Sequence, residues 1–211
     1  RIDIVIHAAA LKRIDVCQEN PFEAHKTNVE GTINCIKACK EMGIVLCFVS
    51  TDKACMPCTT YGATKYLAEQ LVRREAEYTN FRGFVVRYGN VLDSTGSVLS
   101  IWNEQYEKTG IVLVRDKEMT RFFMSVDDSD NLIMDSISSY EFNREDKGHI
   151  FVPKLKSMNI FEMAVYLYGE ENVEISQRTH TEKTHEYLDG DMCSSDYVVH
   201  PKEFFSETNN T

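Results

Sequence analysis

Short apolar runs alternate with longer helical segments through the first 90 residues. The runs at residues 2–7, 44–49 and 84–88 are mainly apolar and are predicted strands. The run at 44–49 is of the kind expected for a strand buried on both faces. Residues 21–42 carry apolar side chains at near-helical spacing, and residues 61 to about 78 form a second predicted helix. Strands that alternate with helices form parallel sheets with helices on both faces. The pattern predicts an α/β fold built on a Rossmann-like, doubly wound parallel sheet.

The pattern changes beyond Asn90. Charged residues become denser and the apolar runs become shorter, as at residues 111–114 and 149–152, and a helix is predicted over residues 126–138.

Two residues bound the predicted helix at 21–42. Asn20 is predicted to cap its start, and Gly43 is predicted to end it.

The composition excludes several classes of function. At 211 residues with 43% hydrophobic residues, the chain can bury a substantial core. A formal net charge of −10 argues against nucleic-acid binding, because phosphates attract lysine and arginine. No apolar stretch approaches the ~18 residues of a membrane span, and no leader-like segment opens the sequence. We therefore expect a cytoplasmic protein.

The seven cysteines indicate no disulfide framework, because their number is odd. Cys55 and Cys58 have C-x-x-C spacing, but a zinc site needs a second pair of ligands, and only Cys193 and scattered histidines remain. We predict ordinary reduced cysteines and no metal site.

Groups with acid–base chemistry follow the apolar run at 44–49. Asp52 and Lys53 come just after it, and Tyr61 and Lys65 are four residues apart, on one face of the predicted helix. A cation beside the phenol favours phenolate and lowers the pKa of Tyr61 from ~10 towards neutrality. Ligands bind at this carboxyl edge in open α/β sheets. Two ordinary interpretations stay open: an exposed lysine near a half-buried tyrosine, and a solvated turn in which Asp52 caps a helix.

Several motifs together resemble those of a known family. Thr51-Asp52-Lys53, Pro57 and Tyr61-Gly62-Ala63-Thr64-Lys65 resemble the extended short-chain dehydrogenase/reductases, and within them the inverting UDP-N-acetylglucosamine 4,6-dehydratases of surface polysaccharide and flagellin-sugar biosynthesis. Lys53 is distinctive, because retaining 4,6-dehydratases carry Thr-Asp-Glu here. Further matches bring the resemblance to roughly residues 1–190; they are His7–Lys12, Asn20–Glu23, Thr27–Asn28, Val86–Val91, Met119–Phe122 and Ile150–Lys154.

The resemblance implies a role for each group. Tyr61, assisted by Lys65, accepts the proton of the sugar C4 hydroxyl, and Thr51 hydrogen-bonds the C4 oxygen. The C4 ketone makes the C5 proton acidic, so that Lys53, as a neutral amine, can remove it. Asp52, as a protonated acid, releases the C6 hydroxyl as water. Reprotonation of C5 from the opposite face gives inversion.

The resemblance also implies a cofactor, NADP, with NAD as the other possibility. Small residues after the first strand let the backbone approach a flat ligand, Lys12 is placed to meet a phosphate, and Asn28 to steady the active-site backbone. The predicted cofactor-binding residues are His7, Ala8, Ala9, Lys12, Asn28, Tyr61 and Lys65. Taken alone, His7 is equally well a core histidine and the alanines are equally well packing residues.

A nucleotide sugar carries a diphosphate, for which arginine is the preferred partner. The predicted substrate-binding residues are Asn90, Arg121, Arg178 and Glu182. In relatives, the segment that contains the last two of these residues has the sequence Arg-Pro-Gly-Glu-Lys-x-His-Glu. Here residues 178–186 contain one extra residue and neither the proline nor the glycine, so a surface loop with scattered charges is an equal interpretation. Arg87 is expected to order the sheet edge.

The domain prediction follows from these assignments. Residues 1–91 form the C-terminal half of an NAD(P)-binding domain with the catalytic residues, residues 92–200 are mainly a substrate-binding lobe, and residues 201–211 are a polar tail, disordered from Ser206. No G-x-G-x-x-G occurs and the chain begins at Arg1, so we expect a fragment that starts near the fourth strand, lacking on the order of 70 residues.

Two alternatives to the dehydratase remain. A nucleotide-sugar 4-epimerase needs Tyr61 and Lys65 but not the pair Asp52 and Lys53. A noncatalytic module that binds a dinucleotide or nucleotide sugar needs none of them as reactive groups. The resemblance further implies UDP-N-acetylglucosamine or a similar nucleotide sugar as substrate, and a homo-oligomer, either a dimer or a hexamer.

Overall fold

The structure is a computed structural model, and it describes residues 2–92, 94, 96–142, 148–177 and 182–208. The chain forms two compact units, Arg1–Tyr88 with Asp130–Pro153, and Gly89–Ser129 with Lys154–Thr211. The strands are β1 Ile4–His7, β2 Val45–Val49, β3 Gly83–Val86, β4 Asn90–Val91, β5 Val112–Val114, β6 Thr120–Met124, β7 Ile150–Phe151, β8 Ser157–Asn159, β9 Val173–Ile175, β10 Tyr187–Asp189 and β11 Met192–Cys193. The α-helices are α1 Ile14–Glu19, α2 Pro21–His25, α3 Gly31–Met42, α4 Thr60–Tyr78, α5 Val98–Thr109, α6 Val126–Phe142, α7 Ile160–Tyr168 and α8 Pro201–Thr208.

The first unit contains a four-stranded sheet in the order β1, β2, β3, β7, and all three pairings are parallel. Cys47 lies between Ile6 of β1 and Phe84 of β3 in the register. All five residues of β2 are buried, as expected of a strand in the centre of such a sheet.

Helices cover both faces of this sheet. Leu46 and Phe48 of β2 pack in a cluster with residues of α3 and α4. The alternate residues Val45 and Cys47 pack with Tyr140 of α6, because successive side chains of a strand point to opposite faces. The predicted doubly wound parallel sheet is confirmed, and the predicted helix over 126–138 corresponds to α6.

The predicted helix at 21–42 is one helical path with an irregular middle. Its α-helical parts, α2 and α3, are joined by a π-helical turn, Lys26–Glu30. Gly43 ends it in the left-handed conformation, with φ of 67°, as predicted. Asn20 occupies the cap position of α2, as predicted, but its side chain makes no cap hydrogen bond and instead donates to the Val16 carbonyl of α1.

The second unit is built from smaller sheets. In the three-stranded sheet, β6 pairs in parallel with β4 and antiparallel with β8. β5 pairs in parallel with β9, and β10 pairs antiparallel with β11. A core that contains Trp102, Phe123 and Met163 holds this unit together.

Residues 201–208 are more ordered than their polarity predicts. α8 runs to Thr208, and its Phe204 is only 5% exposed within the core of the second unit. The expected disorder from Ser206 is therefore wrong for the described residues, because burial of an aromatic side chain stabilises the helix. Within the described ranges, no helix is both long and apolar enough to span a membrane.

Candidate active site

The site begins where β2 leaves its sheet. The amides of Ser50 and Asp52 donate to the carbonyls of Val86 and Tyr88 at 2.7 and 2.9 Å, so the chain continues beside β3 beyond the end of β2. A short 3-10 turn then spans Asp52–Ala54, capped by the Thr51 hydroxyl, which accepts from the Lys53 amide at 3.3 Å. This arrangement places the three consecutive candidate side chains, Thr51 to Lys53, at the carboxyl edge of the sheet.

Asp52 is completely buried and is only partly satisfied. Its Oδ1 accepts hydrogen bonds from Thr51 Oγ1 and from Lys53 Nζ, both at 3.0 Å. Its Oδ2 is buried with no hydrogen-bond partner among the described residues. Leaving a buried oxygen unpaired costs about 1–3 kcal/mol, and more for a charged group, and such groups call for a functional explanation. The solvated-turn interpretation fails, because Asp52 is 0% exposed and Thr51 provides the cap.

Lys53 is the more accessible member of the pair. Its side chain is 19% exposed, against 0% for Asp52, so a base and an acid lie side by side with unequal access to solvent. Adjacent ionisable groups in unlike environments are the pattern of divided acid–base roles.

Helix α4 carries the other two catalytic candidates. Thr59 caps it by accepting from the Gly62 amide at 3.0 Å, so that the helix starts close to the Asp52 turn. Gly62 packs against the carbonyl of Lys53, and a Cβ at this position would overlap that oxygen. The Tyr-Gly sequence is therefore needed for the close approach of the helix to the turn.

Lys65 is directed to the backbone of β2. Its Nζ donates to the Val49 carbonyl at 2.7 Å and lies 4.0 Å from the centre of the Phe48 ring. Burial lowers the pKa of Lys65 to about 7, and the negative charge of Glu69 opposes that shift.

The pKa of Tyr61 is raised, not lowered. Burial is the main cause and the charge of Asp52 adds to it, while the hydrogen bond to Thr51 acts in the opposite direction. The predicted lowering by Lys65 is thus absent, since the ammonium group binds the Val49 carbonyl and its own charge is disfavoured by burial.

Asn28 ties two parts of the site together. Its Oδ1 accepts from the Leu11 amide at 2.7 Å, and its Nδ2 donates to the Leu11 carbonyl and to Thr64 Oγ1, both at 3.0 Å. Asn28 belongs to the π-helical turn, and such turns are frequent at functional sites. The segment that follows β1 is thereby held against α4.

The predicted cofactor residues at the end of β1 and in the segment after it differ in environment. His7 is buried, with Nε2 3.1 Å from the Thr32 hydroxyl, and its pKa is lowered by burial first and by Lys65 second. Ala8 and Ala9 are exposed and have no side chain beyond Cβ. An exposed backbone segment at the carboxyl edge fits the close approach of a flat dinucleotide. Lys12 is also exposed.

The predicted substrate residues that the structure describes lie in the second unit. Asn90 Nδ2 donates to the Phe122 carbonyl at 2.9 Å. Arg121 donates to the carbonyls of Thr120, Lys183 and Thr184 at 2.7, 2.8 and 3.1 Å, and therefore orders a loop. Glu182 lies 4.0 Å from Arg115. Arg178 falls outside the described residues, and the binding roles of all four remain predictions.

The sequence analysis did not single out two charged residues that have charged partners, Glu69 in the first unit and Arg115 in the second. Glu69, one helical turn beyond Lys65, forms a buried ion pair with Arg87, whose amide also donates to the Phe151 carbonyl at 2.9 Å. The four-residue spacing places Glu69 on the same helix face as Lys65, and this spacing could have identified Glu69 from the sequence. Arg115 lies opposite Glu182 and donates to the Gln177 carbonyl at 3.2 Å, and it has no such local signal.

The described residues were compared with the ligand groups that metal sites require. No group of three or more His, Cys, Asp or Glu side chains among them is arranged to hold a metal ion. None of the seven cysteines, all of them among the described residues, belongs to a disulfide.

A site of this kind, with Tyr-x-x-x-Lys on a helix beside a parallel sheet, is the one expected of the extended short-chain dehydrogenase/reductases. The sequence profile described as "Polysaccharide biosynthesis protein" matches residues 1–206. The chain therefore belongs to this family.

Individual relatives agree with this family. The UDP-N-acetylglucosamine 4,6-dehydratase (inverting) of Campylobacter jejuni is 38% identical over 200 residues, covering 92% of this chain and 57% of the relative. A UDP-glucose 4-epimerase of Rickettsia canadensis is 35% identical over 195 residues, covering 89% and 56%. The chain spans a little over half the length of these curated relatives.

The fold also matches a solved structure. DesIV, a dTDP-glucose 4,6-dehydratase from Streptomyces venezuelae with NAD and TYD bound, superposes with a TM-score of 0.78 at 16% identity. The match covers 98% of this chain and 71% of DesIV. At this identity the likeness concerns the fold.

Proposed function

We propose that this chain carries the catalytic residues of a nucleotide-sugar 4,6-dehydratase. The substrate is UDP-N-acetylglucosamine, and water is removed across C5 and C6 through a transient 4-keto sugar. The observation that supports this most strongly is the contact between the buried Asp52 and the part-buried Lys53, joined at 3.0 Å. The similarity to the Campylobacter dehydratase supports the choice of substrate.

The first step concerns the C4 hydroxyl. Tyr61 accepts its proton in the phenolate form, which burial disfavours in the chain alone because it raises the pKa of the phenol. Thr51 hydrogen-bonds the oxygen as the ketone forms. Lys65 holds the carboxyl end of β2 through Val49, which positions Thr51 two residues further on. Burial of this site strengthens each electrostatic interaction within it.

The second step is the elimination. Neutral Lys53 removes the C5 proton, which the C4 ketone has made acidic, and Asp52 donates a proton to the departing C6 oxygen. The unpaired Oδ2 of Asp52 is the oxygen available for that donation. A proton delivered to C5 from the face opposite Lys53 inverts the configuration.

The cofactor we propose is NADP, with NAD as the alternative. When bound, this cofactor would supply the hydride acceptor for the oxidation of C4 and the hydride donor for C6. The residues that fit it are His7, Ala8, Ala9, Lys12, Asn28, Tyr61 and Lys65. The bound NAD of DesIV supports a nicotinamide dinucleotide in general.

A second candidate is a nucleotide-sugar 4-epimerase, which the similarity to the Rickettsia enzyme favours. That reaction uses Tyr61 and Lys65 and gives Asp52 and Lys53 no chemical task. The contact between buried Asp52 and part-buried Lys53 therefore favours dehydration. We further propose a cytoplasmic homo-oligomer that binds its nucleotide sugar through Asn90, Arg121, Arg178 and Glu182.

Mass spectrometry distinguishes these functions. UDP-N-acetylglucosamine is incubated with NADP and the full chain, or with its variants Lys53→Ala and Asp52→Asn. A dehydratase produces a sugar nucleotide that has lost one water, and both variants abolish that product. An epimerase leaves the mass unchanged but alters the sugar configuration, which NMR detects. Binding of NADP without either change identifies a noncatalytic module and overturns the proposal.

A further inference from the structure

Two buried oxygens just beyond the end of β2 have no hydrogen-bond partner. Across the described residues, only two buried side-chain nitrogen or oxygen atoms are unpaired, Ser50 Oγ and Asp52 Oδ2. Ser50 is 3% exposed and Asp52 is 0% exposed. Leaving a buried polar atom unpaired destabilises a fold, and two such atoms in one short segment call for a shared explanation.

The backbone directs both side chains to the same face of the sheet. The amides of Ser50 and Asp52 both donate to carbonyls of the segment that continues β3. Thr51 between them is extended, with φ of −151° and ψ of 154°. Successive side chains of an extended segment point to opposite faces, so the side chains of Ser50 and Asp52 point the same way. Their Cα atoms are about 6.6 Å apart, as for any residues two apart in a strand.

The separation of the two oxygens suits one small ligand. The oxygens do not bond to each other, since neither has a partner among the described residues. An oxygen ligand that bonds to both at about 2.8 Å bridges oxygens up to about 5.6 Å apart, and two short side chains on one face lie within that reach. Buried waters occupy sites of this kind, where they bond to two to four polar groups.

We propose that Ser50 Oγ and Asp52 Oδ2 together bind one oxygen ligand, which is a water molecule in the chain alone and the departing C6 oxygen of the sugar during turnover. The hydrogen bonds are complementary, because the Ser50 hydroxyl donates to the ligand and the water donates to the Asp52 carboxylate. Ser50 is thereby a further binding residue of the site. The turnover part of this inference rests on the proposed dehydration.

The elimination forms its water at this place. The C5 proton passes to the neutral Lys53 amine, and the electrons of that C–H bond form the double bond between C5 and C6. The C6–O bond breaks, its electron pair stays on the oxygen, and this oxygen takes the proton of the Asp52 carboxylic acid. The products are one water, an Asp52 carboxylate and a Lys53 ammonium group, which is the ion pair seen at 3.0 Å. A hydrogen bond from Ser50 stabilises the oxygen as negative charge develops on it.

The water site can be tested without substrate or cofactor. The chain is crystallised, and its structure is determined at a resolution that shows ordered water. We expect one water within about 3.2 Å of both Ser50 Oγ and Asp52 Oδ2. A direct bond between these two oxygens, or a protein group as their partner in place of water, overturns the proposal. The absence of an ordered water between them overturns it as well.

Two rates test the role of the site in turnover. Oxidation at C4 is followed as reduced cofactor formed from UDP-N-acetylglucosamine that lacks its 6-hydroxyl, and loss of water is followed with the unmodified substrate. We expect Ser50→Ala to lower the ratio of water loss to oxidation about tenfold, as for one lost hydrogen bond. Ser129→Ala removes another buried hydroxyl, which donates to the Val126 carbonyl of its own helix, and should keep the wild-type ratio.

A second variant and the crystal structure keep the outcomes distinct. Ser50→Cys keeps the shape of serine but donates only weakly, so it should also lower the ratio if Ser50→Ala fails to fold. An unchanged ratio in the folded variant overturns the role of Ser50 in turnover. If wild type removes no water from the substrate while the crystal shows the bridging water, the proposed function fails and the water site stands.

Discussion

Glu69 and Arg87 form a buried ion pair with two hydrogen bonds, from Arg87 Nε to Glu69 Oε1 at 3.0 Å and from Nη2 to Oε2 at 2.5 Å. The pair joins the middle of α4 to the end of β3. It therefore fixes the helix that carries Tyr61 and Lys65 against the sheet whose edge carries Asp52. Planar two-point contacts of this kind are specific to arginine.

Breaking this pair from one side should cost much of the stability of the first unit. Glu69→Gln removes the carboxylate that pairs with the buried Arg87 charge, and we expect a loss of about 3–5 kcal/mol in the free energy of unfolding. Urea titration followed by circular dichroism measures it. The exposed pair of Glu104 and Lys108 is the matched control, and Glu104→Gln should have little effect. The double variant Glu69→Leu/Arg87→Met should recover most of the loss, and a further loss would contradict this account.

The buried amine of Lys65 should make stability depend on pH. Its pKa is about 7 in the folded chain, against 10.5 for an ordinary lysine. Below about 7 the folded and unfolded chains both bind the proton, and the cost of burying the charge is complete. Above it, the unfolded chain binds a proton that the folded chain has lost, so stability rises with pH.

The measurement is the free energy of unfolding between pH 6 and pH 8.5. We expect wild type to gain stability relative to Lys65→Met across this window, with a slope that approaches about 1.4 kcal/mol per pH unit. The exposed Lys37→Met should leave the wild-type slope in place. A constant difference between wild type and Lys65→Met would show that the amine does not titrate there.

Asn28 should control the order of the segment after β1. Asn28→Ala removes the partners of the Leu11 amide and of Thr64, and we expect a loss of about 1–3 kcal/mol. Hydrogen exchange of the Leu11 amide should become faster in this variant before global unfolding. The exposed Asn34→Ala, in α3, is the control. Unchanged protection of Leu11 would show that other contacts hold the segment.

Two glycines offer a paired test of the approach of α4 to the Asp52 turn. Gly62→Ala places a methyl group against the Lys53 carbonyl, so the turn must move. Gly31→Ala meets only the Lys26 carbonyl at 3.9 Å and should stabilise α3 by about 0.5–1 kcal/mol. We expect Gly62→Ala to lower the melting temperature and to shift the amide resonances of Asp52 and Lys53. Equal melting temperatures for the two variants would contradict the close approach.

The local pattern of the sequence predicted much of the architecture. The run at 44–49 indicated a strand buried on both faces, and β2 is such a strand. The four-residue spacing placed Tyr61 and Lys65 on one helix, and Gly43 marked a helix end. These features depend on residues close together in the chain, so that backbone geometry and hydrophobic periodicity suffice to predict them.

Only the tertiary structure decided how the candidate groups are partnered. Asn28 binds Thr64 across 36 residues, and Glu69 binds Arg87 across 18. The complete burial of Asp52 and the raised pKa of Tyr61 result from the packing of separate elements around them. Charge and proton affinity depend on desolvation and on neighbours distant in sequence, which a local motif does not specify. The sequence alone therefore determined which chemical groups are present and on which elements they lie, while the tertiary structure decided their partners and their protonation.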